Sequence, residues 1–247
     1  MNRITSTAKT VLITGAARRI GRAIALDLAK AGWSVAIHYR KSLVEAEELA
    51  HDIASRGGRA NIFPADLADN DALSRLVTDV ARELGPLTAL VNNASEFLPD
   101  TLQSLTASTW DMHLSINLKA PVFLSQAMAL QLPEAAEGNI INILDQRVWN
   151  LTPEFFSYTI SKAGLWTATR TLAQALAPRV RVNAVAPGPV LRSIHQTEEE
   201  FEHETRSTLL GLGASTDEIA NAVRYILATP SLTGQMIALD GGQHLTR

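Results

Sequence analysis

The feature that most limits how this chain can fold is an alternation that begins at Thr10: a short apolar run, a turn, then a longer stretch with apolar residues on a helical period. Thr10 to Thr14, Thr-Val-Leu-Ile-Thr, is too short for a helix and rich in strand formers, which predicts a buried strand. Ile20, Ile24 and Leu28 then share one helical face. Trp33 to Tyr39 predicts a second strand, and Leu43, Ala46, Leu49, Ala50 and Ile53 the helix after it, closed by Gly57-Gly58. Ile62-Phe63 marks a third strand, followed by a helical face at Leu73, Leu76, Val77, Val80 and Leu84 that stops at Gly85-Pro86. Leu87 to Val91 is the fourth. Strands that each lead into a helix close most simply as a parallel, doubly wound sheet with right-handed crossovers, and such sheets bind ligands at the C-terminal edge of their strands. Asn139 to Leu144, Val180 to Val185 and Gly234 to Asp240 add three more strands, with helices expected within 105–132 and over 155–176, 199–210 and 219–227. The expectation is one α/β domain over 1–247 with a seven-stranded parallel sheet, and a chain of 247 residues that is 46% hydrophobic has ample material for its core.

Composition excludes several functions. The formal charge of −3, with no basic stripe, argues against a nucleic-acid surface. The absence of cysteine removes disulfides, thiolate metal sites and a cysteine nucleophile together, and fits a reducing compartment. The six histidines (38, 51, 113, 195, 203 and 244) show no ligand spacing, which predicts surface or loop positions and no metal site. Met1 to Lys9 is short and polar, unlike a secretory signal, and no apolar run is long enough to span a bilayer, so a cytoplasmic protein without membrane partners is expected.

The strand ends carry the candidate chemistry. Gly15-Ala16-Ala17-Arg18-Arg19-Ile20-Gly21 stands between a strand and a helix, the context in which glycines let a backbone approach a pyrophosphate and a helix N-terminus offers free N–H groups. The second strand ends in Arg40-Lys41-Ser42, with no acidic residue to hold a ribose 2′-hydroxyl. Two cations and a hydroxyl, with Arg18 nearby, suit a 2′-phosphate, which favours NADPH over NADH. Cations at a helix N-terminus oppose its dipole unless an anion sits there. Asp66-Leu67 reads either as a loop or as an adenine contact. Asn117, flanked by Ile116 and Leu118 inside the long helix, reads either as a surface residue or as a buried functional one. Tyr158 and Lys162 lie one helical turn apart on the same face, where a fixed cation pulls a phenol below its usual value near 10, and Asp145 stands just upstream where the fifth strand ends.

With these residues in place the chain resembles the short-chain dehydrogenase/reductase family over essentially its whole length. The glycine turn, Asn92-Asn93-Ala94, Asn117, Tyr-x-x-x-Lys at 158–162, Pro187-Gly188 and Asp240-Gly241-Gly242 fall in family order. The resemblance implies a Rossmann fold, and contacts to a nicotinamide cofactor from Gly15, Arg18, Arg19, Ile20, Gly21, Tyr39, Arg40, Lys41, Ser42, Asp66, Leu67, Asn93, Ala94, Tyr158, Lys162, Pro187 and Gly188. It implies Tyr158 as proton donor, Lys162 as the group that binds the nicotinamide ribose and lowers the phenol pKa, and Asn117 as holder of a relay water. Two departures matter more: Arg19 replaces the usual middle glycine, and Asp145 replaces the usual serine. Together with His38-Tyr39, Ser95, Phe97 and the tail Leu245-Thr246-Arg247 they look like the pteridine reductase branch. By that resemblance Phe97 would stack on a flat pterin, Ser95 would hydrogen-bond substrate or cofactor phosphate, and Arg19 would reach the pterin or a phosphate. An ionised Asp145 would raise the neighbouring phenol against the pull of Lys162.

These readings point to an NADPH-dependent reductase of a dihydropterin or dihydrofolate-like ring, with Asp145, Tyr158, Lys162 and Asn117 as its catalytic set. The rivals are a carbonyl reductase of the 3-oxoacyl-thioester kind and a non-catalytic NADPH-binding protein. The irregular segment 190–213, with Glu198-Glu199-Glu200, is the natural place for a substrate lid. Ala163, Gly164, Ala168 and Ala173 would let another helix approach, which with family habit predicts a homotetramer or homodimer.

Overall fold

The computed structural model describes residues 9–246, so residues 1–8 of the expected non-signal segment and Arg247 of the tail lie outside the described residues. Seven strands form one parallel sheet: β1 (Thr10–Ile13), β2 (Ser34–Tyr39), β3 (Arg59–Pro64), β4 (Ala89–Asn92), β5 (Gly138–Ile143), β6 (Val180–Pro187) and β7 (Met236–Leu239). Their order is β3-β2-β1-β4-β5-β6-β7. The order reverses between β1 and β4, and the strand ends diverge there to leave a crevice.

Side chains alternate along each strand, so both faces of the sheet are apolar. Val11, Ile13, Val35 and Ile37 point to one face, where α1 (Arg19–Lys30), α2 (Leu43–Ser55) and α8 (Thr216–Ala228) bury Ile24, Leu28, Leu49, Ile219 and Val223. Leu12, Ala36, Leu90, Ile140 and Val182 point to the other, against α3 (Asn70–Leu84) and α5 (Ala120–Gln131). The five residues predicted for the face of α3 are all buried, the helix is capped by Asp69 accepting from the Asp71 N–H, and Gly85 ends it at φ 94. In α1, Ile24 and Leu28 are buried but Ile20 only partly, because it opens onto the crevice.

The long helix expected within 105–132 is divided. It runs as α4 (Ala107–Leu114), a π-helical turn over Ser115–Lys119, and α5, with Asn117 inside the π turn. One extra residue per turn breaks the 3.6-residue period at the site edge, and such insertions concentrate at functional positions. The helix expected over 199–210 is α7 (Glu198–Arg206), opened by a Thr197/Glu200 capping box. It stops early because the Thr208 hydroxyl donates to the Thr205 carbonyl and accepts from the Leu212 N–H, which turns the chain. The small residues of α6 (Phe156–Leu176) are used within the chain. A methyl group at Gly164 would lie 2.8 Å from Leu118, Ala168 packs against the cluster that contains Leu165, and Ala173 is buried in the core.

Candidate active site

The strand ends at the β1/β4 crevice open onto a groove of about 440 Å³. Its floor is the turn after β1. Gly15 adopts φ 63, and Arg19, at the usual glycine position, takes a left-handed φ of 55 that costs an L-residue about 1 kcal/mol. A methyl group at Gly21 would lie 2.7 Å from Asn93 Nδ2, so the turn and the loop after β4 meet with no room for a side chain. Asn93 Nδ2 donates to the carbonyls of Thr14 (2.8 Å) and Gly15 (3.1 Å), and the Thr14 hydroxyl accepts from the N–H groups of Asn93 and Ala94. Gly15 N–H donates to His38 Nδ1 at 3.0 Å, and His38 Nε2 lies 3.2 Å from the Ala65 carbonyl. The acceptor role of Nδ1 places the imidazole hydrogen on Nε2. His38 is 2% exposed, and burial takes its pKa down to about 4.

Of the expected cofactor contacts, Gly15, Arg18, Arg19, Ile20, Gly21, Tyr39, Arg40, Lys41, Ser42, Leu67, Asn93 and Ala94 line this groove. Asp66, Pro187 and Gly188 do not. Asp66 is exposed and turns its carboxylate to the Ala68 N–H at 3.0 Å, while Gly188 is needed for a close approach to Asp240, where a methyl group would sit 2.7 Å from Cα. Two cations are engaged in ways the sequence did not disclose. Arg40 pairs with Glu96 at 2.8 Å across the groove, and Arg19 donates to the carbonyls of Leu191 (2.9 Å) and Arg192 (3.0 Å), tying the turn to the 190–213 segment. Ser42 begins α2 with no side-chain bond to the helix, and Lys41 is exposed. A larger depression of about 1050 Å³ opens near the N-terminal ends of β2 and β3, away from this edge.

Beside the groove the proton-bearing residues meet. Tyr158 Oη donates to Asp145 Oδ2 at 2.9 Å, and Asp145 Oδ1 accepts the Arg147 N–H at 2.9 Å, which opens a short 3-10 turn over Gln146–Val148. Lys162 is 2% exposed and donates to the Ile143 carbonyl at 2.8 Å, with Nζ 5.7 Å from the Tyr158 ring centroid. The net shift of the phenol is upward, not downward as the Tyr-x-x-x-Lys pairing alone suggests. Burial, then the charge and hydrogen bond of Asp145, raise Tyr158 well above its usual value, with Arg147 and Ser95 pulling the other way. Desolvation takes Lys162 itself down to about 8, opposed by the charge of Asp145. The acidic residue at 145 does raise the phenol, as its charge requires.

Asn117 is fully buried, and its amide is spent inside the protein. Nδ2 donates to the Glu96 carbonyl (2.9 Å) and Ser161 Oγ (3.1 Å), while Oδ1 accepts from the Glu96 N–H (2.9 Å) and Ser95 Oγ (3.2 Å). Its side chain braces the loop after β4. Phe97, on the same loop, stacks against Phe155 with centroids 4.3 Å apart and planes 6° apart, and meets the Tyr158 ring edge-on at 4.7 Å. The aromatic wall is present at the site, but Phe155 covers one of its faces. Phe155 does this from a left-handed backbone, φ 52.

His113 is also buried, against the expectation of a surface or loop position. It accepts the Leu98 N–H on Nε2 at 3.1 Å and has Nδ1 2.7 Å from Ser157 Oγ, while the Ser157 hydroxyl donates to Asp100. This chain of bonds locks the Phe97 loop to the start of α6, and burial lowers the pKa of His113. Behind Asp145, Asn150 Nδ2 donates to the carbonyls of Gln243 and Thr246 at 3.3 Å, folding the tail against the loop after β5. Among the described residues no acidic or histidine cluster could hold a metal ion, and no helix is long and apolar enough to cross a membrane.

A crevice at the sheet's switch point, a glycine turn on its floor and a Tyr-x-x-x-Lys helix at its side define a class, and residues 9–203 match the family described as short chain dehydrogenase. The chain belongs to that family of oxidoreductases. It is similar to the structure described as FolM alternative dihydrofolate reductase 1 from Brucella suis in complex with NADP, at 50% identity and TM-score 0.94 over 96% of each chain. The Brucella canis protein of the same description, complexed with NADP, is 49% identical with TM-score 0.95, covering 100% of this chain and 98% of that one. The 3-oxoacyl-[acyl-carrier-protein] reductase FabG of Staphylococcus aureus is 33% identical over 243 residues, which is 96% of this chain and 98% of the relative.

Proposed function

We propose that this protein is an NADPH-dependent reductase of a pterin or dihydrofolate-like ring. The observation that carries the reading is the hydrogen bond from Tyr158 to Asp145, 2.9 Å, beside the groove and the aromatic wall of Phe97. The likeness to two proteins described as alternative dihydrofolate reductase 1 supports it.

The groove suits the cofactor. The backbone turn at Gly15 and Gly21 fits a pyrophosphate, and Arg18, Arg40, Lys41 and the Ser42 hydroxyl line the end where a 2′-phosphate would lie. Bound there, NADPH supplies the hydride. Tyr158 supplies the proton, from a phenol that burial and Asp145 keep protonated at neutral pH. Lys162, with Nζ held at the Ile143 carbonyl, keeps further N–H donors that would hold the nicotinamide ribose. Phe97 forms the flat apolar wall against which a ring system packs. In this reading 190–213 is a lid. It leaves Ile194, Leu209 and Leu210 exposed, and α7 buries no residue, yet the Leu210 N–H donates to the Gly241 carbonyl at 2.9 Å to anchor its base. A homotetramer or homodimer follows from family habit, and exposed Phe123, Leu130 and Ile160 on α5 and α6 are available to such a contact.

The test is NADPH oxidation with dihydrobiopterin, dihydrofolate and an acetoacetyl thioester side by side. Turnover is expected with a pterin or folate substrate, and Asp145→Ser should cut it by about two orders of magnitude, the usual worth of one acid/base group. Turnover confined to the thioester would instead establish the carbonyl reductase reading, which the 33% identity to the FabG relative supports. Pterin turnover unaffected by Asp145→Ser would remove that residue from the mechanism.

A further inference from the structure

One oxygen at the proton corner faces two donors and accepts from one of them. Asp145 Oδ2 accepts the Tyr158 hydroxyl at 2.9 Å and faces Arg147 Nη1 at 3.6 Å, while Oδ1 is held by the Arg147 backbone N–H at 2.9 Å. The guanidinium lies over the aromatic wall, 5.2 Å from the Phe155 centroid and 5.8 Å from that of Phe97. Arg147 is 19% exposed and Asp145 16%, so this cation has been taken largely out of water, a cost that only specific partners offset. Its distance to Oδ2 is too long for a hydrogen bond, but a shift of about 1 Å would make a charge-assisted one.

The arrangement poses a chemical problem. A phenol whose hydrogen points into an ionised carboxylate is a poor donor to a substrate. We propose that Arg147 is the positioning residue that resolves it: as substrate enters, the guanidinium closes on Asp145 Oδ2, takes the carboxylate's lone pair from Tyr158, and frees the phenol hydrogen to turn to the substrate nitrogen. In the balanced step the C=N carbon gains a hydride and the nitrogen gains the Tyr158 proton. NADPH is oxidised to NADP⁺, and the phenolate left behind recovers its proton from solvent. Arg147 sits beside that phenolate as a cation, and it already pulls the phenol downward against Asp145. The other groups facing Tyr158 are Lys162 and His113 from the helices and Ser95 from the loop, and none of the three pairs with Asp145 Oδ2 as Arg147 does. The inference rests on the reading of Tyr158 as proton donor, not on which ring or carbonyl is reduced.

The test uses the full-length protein with NADPH and dihydrobiopterin, comparing Arg147→Met, which keeps the stem against the aromatic rings, with Arg147→Lys, which keeps the charge. Arg147→Met should lose roughly 10- to 50-fold in kcat, within the span of one electrostatic contact to a reacting group, with KM for both substrates within about two-fold. Arg147→Lys should restore part of the rate. On an Asp145→Asn background, where there is no charge to relieve, Arg147→Met should add little. A loss shared by Lys and Met, or a rise in pterin KM with kcat unchanged, would overturn the proposal and leave Arg147 as wall packing. If dihydrobiopterin is not a substrate and the acetoacetyl thioester is, the same comparison runs on the thioester, so failure of the substrate reading is separable. Full turnover by Tyr158→Phe would show that the proton-donor reading had failed instead.

Discussion

Around Gly15 and Gly21 the cleft is shaped by neutral hydrogen bonds among Thr14, Asn93, His38 and backbone, whereas around Tyr158 it is shaped by Asp145, Arg147 and Lys162, three ionisable groups in a mostly buried corner. The first arrangement holds its geometry at any pH that leaves His38 neutral. The second holds only while its charges balance, because an uncompensated buried charge costs several kcal/mol. In the proposed reading the difference separates two functions of one site: the turn end binds, with demands shared by every dinucleotide, while the charged end decides which bond is reduced. Substitutions of Asp145, Arg147 or the Tyr158 hydroxyl should therefore change turnover without disturbing cofactor affinity.

The largest expected break is Tyr158→Phe. Its ring keeps the edge-on contact with Phe97 at 4.7 Å, and only the hydroxyl is lost. Removing the proton donor should lower kcat by about 10³-fold, within the range for one acid/base group. NADPH affinity, read by fluorescence titration, should stay within about two-fold. A parallel fall in affinity would show that the two ends are not independent.

Acid should break the turn end through His38. Its folded pKa of about 4 lies below the unfolded value near 6.5, so the folded chain prefers the neutral ring, whose Nδ1 lone pair accepts the Gly15 N–H. Above pH 6.5 both folded and unfolded chains are neutral and the stability is fully present. Between about 6.5 and 4 the unfolded chain takes up a proton that the folded one refuses, and roughly 3 kcal/mol is lost, with no further loss below. His38→Asn, which keeps an acceptor near Nδ1, should flatten that part of the urea-unfolding profile. An unchanged slope would mean that His38 does not carry the acid sensitivity; His113, shifted in the same direction, is the other contributor in the wild type.

Most of the sheet was legible because its signals are local. The run at Thr10–Ile13 and the face of α3 are periodicities that tertiary structure did not need to correct. The proton corner was legible for a similar reason, since Tyr158 and Lys162 are neighbours on one helix and Asp145 ends the adjoining strand. What escaped depends on distant pairing. His113 finds Ser157 44 positions away, and Arg40 finds Glu96 only once the loop after β4 has been placed. The direction of the Tyr158 shift is set first by burial, a property of the packed molecule that a Tyr-x-x-x-Lys spacing does not contain. Hydropathy also cannot show that a helix shifts its hydrogen bonds by one residue, so the π turn over Ser115–Lys119 read as continuous helix.

The smallest expected effect tests the residue that joins the two ends. Glu96 is held through its backbone by Asn117, and its carboxylate pairs with Arg40 at 2.8 Å on the wall of the groove. An incoming 2′-phosphate competes with that carboxylate for the guanidinium. Both partners are partly exposed, at 41% and 24%, so the pair itself contributes no more than about 1 kcal/mol. Glu96→Gln leaves the backbone bonds in place, removes one negative charge beside the phosphate and frees Arg40. KM for NADPH should fall about two- to five-fold while KM for NADH hardly moves, and the gain should fade as added salt screens the phosphate. An unchanged preference between the two cofactors would mean that Arg40 does not meet the phosphate, and would pass the task of selecting NADPH to Arg18, Lys41 and Ser42.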